Sequence, residues 1–443
     1  MSLLTTILAG AVYCVIRSEF GSKAGIAMAL LMIALPLIQE SNGMVMADIL
    51  LALLCFWAVL YCGRFLTTEK WQDAAGFGIC ATLAILTKGN ALSLALVPPL
   101  AVVFSRRFHL LIRPSFWCPV LIVLVCCAPW YWLTLDMARN GLYEEAPTLR
   151  FTVEAMRFYA WHLVKITGIG LSLLMAIGFM VRVIRPCWER GTEGRWAAVG
   201  AWPVSVWVFH SIVPSGVDER YLILAVPALL MFLVAGMATV AEHLPLPRLT
   251  AGQKGAVVTL AVALVFAKET FVIPQKAWYG MAEVTQRLLS TPDIQESVIL
   301  LSLDSRSEGM FIAEIAMRER RPGHIVLRAS KILAKSEWTG RNYEALYHTP
   351  AEVMSYLEQI PVGVLVSDRS IPVQDQREHH RLLNQMLEAY PQRWELVGTY
   401  PLTRGGTQYP DALRMYRLIG HENRRVGTIH IDMSYMLNKT IRR

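Results

Sequence analysis

The sequence predicts an α-helical membrane domain that crosses the bilayer many times, followed by a small α/β domain outside the membrane. Of its 443 residues, 54% are hydrophobic and only 17% are charged, and the mean hydropathy is +0.41. A soluble domain of this length carries more charge, so the composition is that of an integral membrane protein. The long apolar runs all lie before about residue 273, whereas shorter apolar runs alternate with amphipathic stretches after about residue 295.

The apolar runs predict about ten membrane-spanning helices, because a helix needs about 20 mostly apolar residues to cross the hydrocarbon layer. The first run has neither a charged stretch before it nor a small-residue cleavage site, so we interpret it as a span and not as a signal peptide. The predicted spans lie near 1–17, 24–39, 48–64, 74–87, 89–105, 115–135, 163–183, 196–213, 220–241 and 255–273.

Positive charges in the loops predict the direction of these spans, since cytoplasmic loops are enriched in Lys and Arg. One set of alternate loops holds thirteen Lys and Arg residues, whereas the other holds six, or eight with Lys268 and Lys276 near the end of the last span. We therefore place the first set in the cytoplasm. The chain then begins outside the membrane, and the domain after the last span also lies outside.

Charged residues at several helix ends fall on this outer face. They are Asp48, Lys88, the charges of the loop 136–162 and those of “VDERY” at 217–221. A charge at bilayer depth costs several kcal/mol, so it usually lines a cavity or an interface and has a partner. Two interpretations stay open: unrelated loop charges, with Lys88 reaching to water, or one polar pocket at the membrane surface.

The polar part of the chain alternates predicted strands and helices, which predicts a small α/β domain with a largely parallel sheet. Thr349 followed by Pro350 predicts a helix N-cap with proline at the first helical position. No glycine-rich nucleotide-binding motif occurs in this part. The predicted strands are 297–303, 324–328, 362–368, 394–400 and 413–419, and the predicted helices are 308–320, 349–360 and 377–390.

Four other residues of this part are candidates for a metal or ligand site, but each has a commoner structural interpretation. His379 and His380 lack a partner at metal-ligand spacing, so we interpret them as a solvated pair on a polar helix face. Asp304 and Asp368 end two strands, where ligand-binding groups lie in α/β sheets, although loop caps are commoner. We divide the chain into a membrane domain, an extracytoplasmic α/β domain and a basic C-terminal tail, at 1–285, 286–420 and 421–443.

Four segments on the outer face resemble one family of membrane enzymes. They are “MADILLALLCFWAVLYC” (46–62), “ILTKGNALSLALVPPL” (85–100), “APWYWLTL” (128–135) and “ERYLILAVPALLMFL” (219–233). Together they resemble the bacterial relatives of the dolichyl-phosphate-mannose–protein mannosyltransferases, including the lipid A aminoarabinose transferases, over roughly residues 1–240. The resemblance implies a GT-C membrane fold. It also implies transfer of a sugar from a polyprenyl-phosphate carrier to a lipid, glycan or protein acceptor at the outer face of the bacterial inner membrane.

The residue types suit that chemistry. Lys88 and Arg220 would neutralise the carrier phosphate and stabilise it as it leaves. Asp48 matches the second acidic position of the family and would take the proton of the acceptor or hold a divalent metal ion. Neighbouring candidates are Asp218 and Glu219, which precede Arg220, together with Tyr221. Nothing in the composition indicates a nucleic-acid partner.

The chain departs from the family pattern at its start. The first helix of the family and the outer loop with its catalytic acid are absent, so we expect a truncated form, an inactive chain or a substitute acid. Glu40 and the neighbouring pair Glu144 and Glu145 are the candidate substitutes. Two other functions stay open: a transporter or flippase of a lipid-linked or anionic substrate, and an inactive scaffold. A transporter would place polar groups near the bilayer midplane, whereas these charges lie at helix ends.

Overall fold

The computed structural model forms two compact units, the first ending at Pro274 and the second beginning at Gln275. The structure describes residues 2–43, 46–135, 148–184, 192–244, parts of 250–262, 277–291, 298–320, 323–336, 343–420, 430–433 and 439–442. The first unit is helical, and the second is an α/β domain.

The helices of the first unit largely coincide with the predicted spans. Two 3₁₀ helices, Gly89–Leu96 and Glu219–Ala225, lead directly into α-helices that begin with proline at their second residue. The α-helices are α1 (Ser2–Phe20), α2 (Ser22–Ala34), α3 (Pro36–Gly43), α4 (Asp48–Thr68), α5 (Trp71–Thr87), α6 (Val97–Ser105), α7 (Pro114–Leu133), α8 (Leu149–Thr167), α9 (Ile169–Phe179), α10 (Glu193–Ile212) and α11 (Val226–His243).

Between four and six of these segments are long and apolar enough to cross a membrane. Four are single segments, namely α1, α4, α7 and the continuous stretch Glu219–His243, and two are bent pairs, α2 with α3 and α8 with α9. The segment Gly89–Ser105 is an apolar helix shorter than a usual span. The predicted span 255–273 lies mostly outside the described residues. The described residues therefore give a multi-span membrane unit, and the figure of ten spans stays a prediction.

The predicted span 163–183 is not one straight helix, because the chain turns by 108° between α8 and α9. Gly168 stands at the turn with a φ of +76°, a conformation that side chains disfavour and glycine adopts readily. The helix before the turn begins at Leu149, where the Thr148 side chain accepts a hydrogen bond from the Phe151 amide. Much of the predicted outer loop 136–162 is therefore helix.

Helices α9 and α11 approach each other at backbone distance. A Cβ atom at Gly178 would lie 2.0 Å from the Phe232 carbonyl oxygen, and one at Gly236 would lie 1.9 Å from that of Leu174. Glycines at facing positions allow such close contact between membrane helices. A side chain at either position would force the two helices apart.

The second unit contains a five-stranded mixed sheet in the order β2-β1-β5-β7-β6, and two small pairs, β3 with β4 and β8 with β9. The five predicted strands are confirmed. All residues of β1 and β5 are buried, as in sheets covered on both faces. The strands are β1 (Val298–Ser302), β2 (Val326–Arg328), β3 (Ala334–Lys335), β4 (Glu344–Ala345), β5 (Val362–Asp368), β6 (Trp394–Arg404), β7 (Thr407–Leu418), β8 (His430–Met433) and β9 (Lys439–Arg442).

The expectation of a largely parallel sheet is wrong. Strand β1 pairs in parallel with β2 and β5, but β7 runs antiparallel to both β5 and β6. The physical reason is the tight turn between β6 and β7, where Gly405 and Gly406 both have positive φ. Such a two-residue turn returns the chain next to the strand it has just left.

Five helices cover the two faces of this sheet. Alternate residues of β1 enter separate apolar cores: Val298 and Leu300 lie in one, and Ile299 and Leu301 in the other. The predicted helices are confirmed, including the Thr349 cap, whose side chain accepts a hydrogen bond from the Glu352 amide. The helices are α12 (Met281–Leu289), α13 (Ser305–Arg318), α14 (Ala329–Ile332), α15 (Pro350–Gln359) and α16 (Glu378–Ala389).

Helix α12 belongs to the second unit. Its residues Met281, Val284 and Leu288 are buried in the same core as Ile299 and Leu301. The second unit therefore includes residues that precede position 286. In the predicted C-terminal tail, the described residues form the antiparallel pair β8 and β9.

The interpretation of His379 and His380 as a solvated pair is wrong, because both side chains are buried. His379 precedes the buried Leu382 and Leu383 by three and four residues, which places it on the apolar face of α16. Nδ1 of His379 lies 2.9 Å from the Tyr343 hydroxyl, and Nδ1 of His380 lies 2.7 Å from the Ser302 hydroxyl. Burial lowers the pKa of His379 to about 3 and that of His380 to about 4.

From the lowered pKa values of these two histidines we predict that the second unit loses stability as the pH falls. Their pKa values are depressed in the folded state, to about 3 for His379 and about 4 for His380. The unfolded chain therefore binds more protons below its ordinary histidine pKa of about 6.5. Stability is complete above that pH, and at pH 5 each histidine should cost on the order of 2 kcal/mol.

We expect this loss to appear in hydrogen exchange of the β5 amides, corrected for intrinsic rates, between pH 7 and pH 5. His379→Gln should reduce the pH dependence, whereas His348→Gln, at an exposed position, should leave it as it is. An equal pH dependence in both variants would contradict the assignment.

Candidate functional site

Asp48 and Lys88 form a largely buried ion pair in the membrane unit. Asp48 is the first residue of α4, and Lys88 joins α5 to the 3₁₀ helix Gly89–Leu96 in an extended conformation. The Lys88 Nζ atom lies 2.6 Å from Oδ1 of Asp48, and only 5% of the Asp48 side chain and 28% of the Lys88 side chain are exposed. Lys88 therefore has the partner that a charge at this depth requires.

The ion pair, and not helix capping, accounts for the position of Asp48. Ala47 occupies the N-cap of α4, and no side chain caps the helix there. An acidic residue in the first turn also interacts favourably with the helix dipole. Removing either member of such a buried pair leaves the other charge without compensation, which usually costs about 3–5 kcal/mol.

Arg220 and Tyr221 extend the ion pair into a larger group of polar side chains. Asp218 caps the 3₁₀ helix Glu219–Ala225, and its carboxylate lies 2.8 Å from Nε of Arg220. The Arg220 guanidinium lies 5.6 Å from the centre of the Tyr221 ring, and the Lys88 ammonium lies 5.8 Å from it. We call Asp48, Lys88, Arg220 and Tyr221 the polar cluster.

The polar cluster joins helix ends that are far apart in sequence. Arg220 also donates to the Met46 sulfur at 3.6 Å, just before α4. The four residues come from the start of α4, the end of α5 and the start of the 3₁₀ helix before α11. Two cations thus lie at the face of one aromatic ring, with one carboxylate bound to each cation. This arrangement can bind a phosphate group and offers a carboxylate beside it.

The other predicted neighbours differ in their contacts. Asp218 pairs with Arg220 as expected, whereas Glu219 lies 3.7 Å from Nζ of Lys165 and 3.8 Å from Nε2 of His162. Glu40 is exposed on α3 and makes no ion pair with a described residue. Glu144 and Glu145 lie outside the described residues.

Two residues beside the polar cluster were missed in the sequence. His210 near the end of α10 is buried, and its ring stacks on Tyr221 with centroids 4.7 Å apart. Within the described part of the chain, neither ring nitrogen of His210 has a hydrogen-bond partner. Tyr159 on α8 is also buried, and its hydroxyl lies 3.4 Å from the Asp218 amide nitrogen. The sequence did contain a signal for His210, because this ionisable residue lies near the predicted outer end of an apolar run.

A metal site has no support among the described side chains. No group of three or more His, Cys, Asp or Glu residues in the described ranges could hold a metal ion. Asp48 would offer a single carboxylate, and its Oδ1 atom already binds the Lys88 ammonium. Divalent cations such as Mg²⁺ and Ca²⁺ prefer several oxygen ligands. The alternative of a metal at Asp48 therefore stays a prediction.

Comparisons with known proteins relate the N-terminal part of the chain to one family of mannosyltransferases. Residues 1–132, which include Asp48 and Lys88, match the sequence profile of the family described as dolichyl-phosphate-mannose-protein mannosyltransferase. No curated protein sequence matches the chain.

Solved structures of one membrane protein resemble almost the whole chain. ArnT from Cupriavidus metallidurans in the apo state is 13% identical, with a TM-score of 0.57 over 96% of this chain and 83% of that one. The same protein bound to undecaprenyl phosphate has a TM-score of 0.55 at 13% identity, over 95% of this chain and 84% of that one.

A third structure has a lower score. The Archaeoglobus fulgidus oligosaccharyltransferase has a TM-score of 0.43 at 14% identity, over 82% of this chain and 56% of that one. The likeness to ArnT establishes the fold of both units. Residues 1–132 of this multi-pass membrane protein thus match the dolichyl-phosphate-mannose-protein mannosyltransferase family, and the chain has the fold of ArnT.

Proposed function

We propose that the protein transfers a sugar from a polyprenyl-phosphate carrier to a lipid, glycan or protein acceptor at the outer face of the bacterial inner membrane. The observation that carries this proposal is the polar cluster, where the buried carboxylate of Asp48 lies 2.6 Å from the Lys88 ammonium. The protein has the fold of ArnT, and the structure of ArnT has been solved with undecaprenyl phosphate bound. The family consists of enzymes that use polyprenyl-phosphate sugars.

In this proposal Lys88 and Arg220 bind the phosphate of the carrier. An ammonium has three donors and a guanidinium has five, so each cation can hold its carboxylate partner and still donate to a phosphate oxygen. When the bond between the sugar and the phosphate breaks, the phosphate gains negative charge. The two cations then stabilise the transition state more than the bound carrier, which is the condition for catalysis.

Asp48 accepts the proton of the acceptor in the same step. The acceptor oxygen forms a bond to the anomeric carbon, and the bond from that carbon to the phosphate oxygen breaks. Its electron pair stays on the phosphate, and the hydroxyl proton moves to the Asp48 carboxylate. Lys88 holds this carboxylate in place, and both cations lie near the Tyr221 ring, with distances to its centre of 5.8 Å for Lys88 and 5.6 Å for Arg220. Glu40 is a candidate second acid, since α3 lies against α4 and the 3₁₀ helix before α11.

A reconstitution experiment tests the proposal. The full chain in lipid vesicles should release undecaprenyl phosphate from one member of a panel of undecaprenyl-phosphate sugars, with the label recovered in extracted envelope acceptors. Movement of an intact labelled carrier across the bilayer, without cleavage, would support a transporter and contradict the transferase.

The proposed orientation places the second unit outside the inner membrane, and cysteine labelling tests it. Thr407 is exposed at the start of β7, next to the turn that follows β6, and Lys70 is exposed between α4 and α5. We expect Thr407→Cys to react with an impermeant maleimide once the outer membrane is opened. Lys70→Cys should react only after the inner membrane is also permeabilised, with the parent protein as the baseline for native cysteines. The reverse pattern would overturn the orientation and the outer location of the polar cluster.

A further inference from the structure

A polar cavity of about 610 Å³ lies within the second unit, among the segments that follow the parallel strands β1, β2 and β5. The chain leaves β1 and β5 toward opposite faces of the sheet. Helix α13, after β1, places Phe311 in one apolar core, whereas α16, after β5, places Leu383 in the other. A crevice forms where the connections after parallel strands diverge in this way, and ligands of open α/β sheets usually bind there.

The acids that follow β1 and end β5 are neutralised within the wall of this cavity. Arg404 binds both Asp304 and Asp368. Asp304 also accepts hydrogen bonds from the backbone amides at the start of α13, and Asp368 accepts one from the Ser370 amide. Both carboxylates therefore act as caps that are already bound to a cation.

Glu308 balances further positive charge of the wall. Its Oε2 atom accepts a hydrogen bond from Nε of Arg328. Burial and the charge of Arg328 lower the pKa of Lys331, and the Glu308 carboxylate acts in the opposite direction. The remaining charged lining residues, Asp375 and Arg377, are exposed and of opposite sign. Because these charges balance within the wall, a neutral ligand disturbs them less than an ion does.

Three polar atoms of the lining residues are buried and have no hydrogen-bond partner in the described part of the chain. They are Oε1 of Glu308, Oγ of Ser330 and Nε2 of His379. The three residues belong to different helices, α13, α14 and α16. Most buried polar groups in proteins have a partner, so three without one around a single cavity indicate a ligand.

The proton of the neutral His379 ring lies on Nε2. The Tyr343 hydroxyl accepts a hydrogen bond from the His379 amide at 3.0 Å and lies 2.9 Å from Nδ1, to which it donates. Nδ1 is then an acceptor, which leaves Nε2 as the donor. His379 thus offers a donor, Glu308 offers an acceptor, and the Ser330 hydroxyl can act as either.

This combination selects the chemistry of the ligand. An anion would accept from His379 but would be repelled by Glu308, and a cation could not accept from His379 at all. A hydroxyl group both donates and accepts, so a ligand with several hydroxyl groups can satisfy all three atoms. Trp278 adds an aromatic surface to the wall, against which the apolar face of a sugar ring can pack.

We propose that this cavity binds a neutral saccharide. Hydroxyl groups of the sugar donate to Oε1 of Glu308, accept from Nε2 of His379 and form a hydrogen bond with Ser330. The size of the cavity is that of a site for a small organic molecule. The site lies within the second unit, and the proposal does not depend on sugar transfer at the polar cluster.

Saturation-transfer NMR on the full chain in lipid nanodiscs tests this site, because maltoside detergents would themselves present a sugar. The probes are glucose, mannose, galactose, N-acetylglucosamine and its disaccharide chitobiose, with inorganic phosphate as the competing anion. At least one sugar should bind saturably, and phosphate should not displace it. Glu308→Gln should weaken binding by about tenfold or more. Ser330→Ala should weaken it by about two- to tenfold. Thermal unfolding of Ser330→Ala should match that of the parent, since the hydroxyl has no partner among the described residues.

Two control variants locate the bound sugar. Ser355 is an exposed serine on α15 that does not line the cavity, so Ser355→Ala should bind as the parent does. Arg220→Ala should also bind as the parent does, and a loss of binding there would assign the sugar to the polar cluster and overturn the proposal. It is likewise overturned if no sugar binds saturably, if phosphate displaces the sugar, or if Ser355→Ala weakens binding as much as Ser330→Ala.

Discussion

Asp48→Asn should lower sugar transfer by at least about a hundredfold, which is the lower end of the contribution of a general base. The amide keeps the shape of the side chain but cannot take a proton from the acceptor. Affinity for the carrier should stay the same or rise, because the substitution removes a negative charge 2.6 Å from the Lys88 ammonium. Transfer and carrier binding should therefore change in different ways. The measurements are single-turnover transfer and binding of undecaprenyl phosphate.

Asp73→Asn is the matched control for this experiment. Asp73 is also a buried acid in the first turn of a membrane helix, and it pairs with Arg64 at 3.2 Å. Its replacement should cost stability without the specific loss of transfer. If Asp48→Asn transfers sugar at close to the parent rate, Asp48 is not the base, and a capping role would not explain the position either, since Ala47 is the N-cap residue.

Lys88→Ala and Arg220→Ala should each weaken binding of the carrier by about tenfold or more, the value of one charge-assisted contact to phosphate. Arg150→Ala should change it little, because Arg150 is exposed on α8 and pairs with the exposed Glu154. Lys88→Ala also leaves Asp48 buried without its counter-charge, so this variant should unfold at lower temperature than the parent. Binding of undecaprenyl phosphate and thermal unfolding are the measurements.

The double variant Asp48→Asn with Lys88→Ala separates the two effects of Lys88. Removing both charges eliminates the uncompensated carboxylate, so stability should recover in part. Carrier affinity should stay low, since the phosphate still lacks its ammonium. Unchanged carrier affinity in Lys88→Ala and in Arg220→Ala would exclude both residues from the phosphate site. Recovery of affinity in the double variant would show that Lys88 acts only through Asp48.

From the loop charges, the sequence predicts that Asp48, Lys88 and Arg220 lie at the outer membrane face, and that location stays a prediction. The structure shows that the three residues lie close to one another. The sequence could not predict that Lys88 pairs with Asp48 or that Tyr221 lies next to both cations, since those contacts join helix ends distant in the chain. His210 was missed because a single histidine in an apolar run does not reveal what packs against it. The bend at Gly168 was missed because hydropathy continues through the turn.

In the second unit, strand positions were predictable and strand directions were not. A short apolar strand such as β5 is buried whether its neighbour is parallel or antiparallel to it. The hydropathy pattern therefore does not show that β7 pairs with β5 in the antiparallel direction. The burial of His379 could have been predicted from its spacing to Leu382 and Leu383, but the polar composition of the helix obscured it.

Folding of the second unit depends on Arg404, a residue that the ribosome adds only after strands β1 to β5 have been made. This arginine lies 100 positions after Asp304 and 36 after Asp368, yet it is the residue that neutralises both acids. While the ribosome is still adding residues before 404, strand β5 lacks its neighbour β7 and the buried Asp368 lacks its cation. Such a nascent chain exposes an unpaired strand edge. Pairings between distant residues also form slowly. The hairpin of β6 and β7 therefore completes both the five-stranded sheet and the charge balance of its two acids.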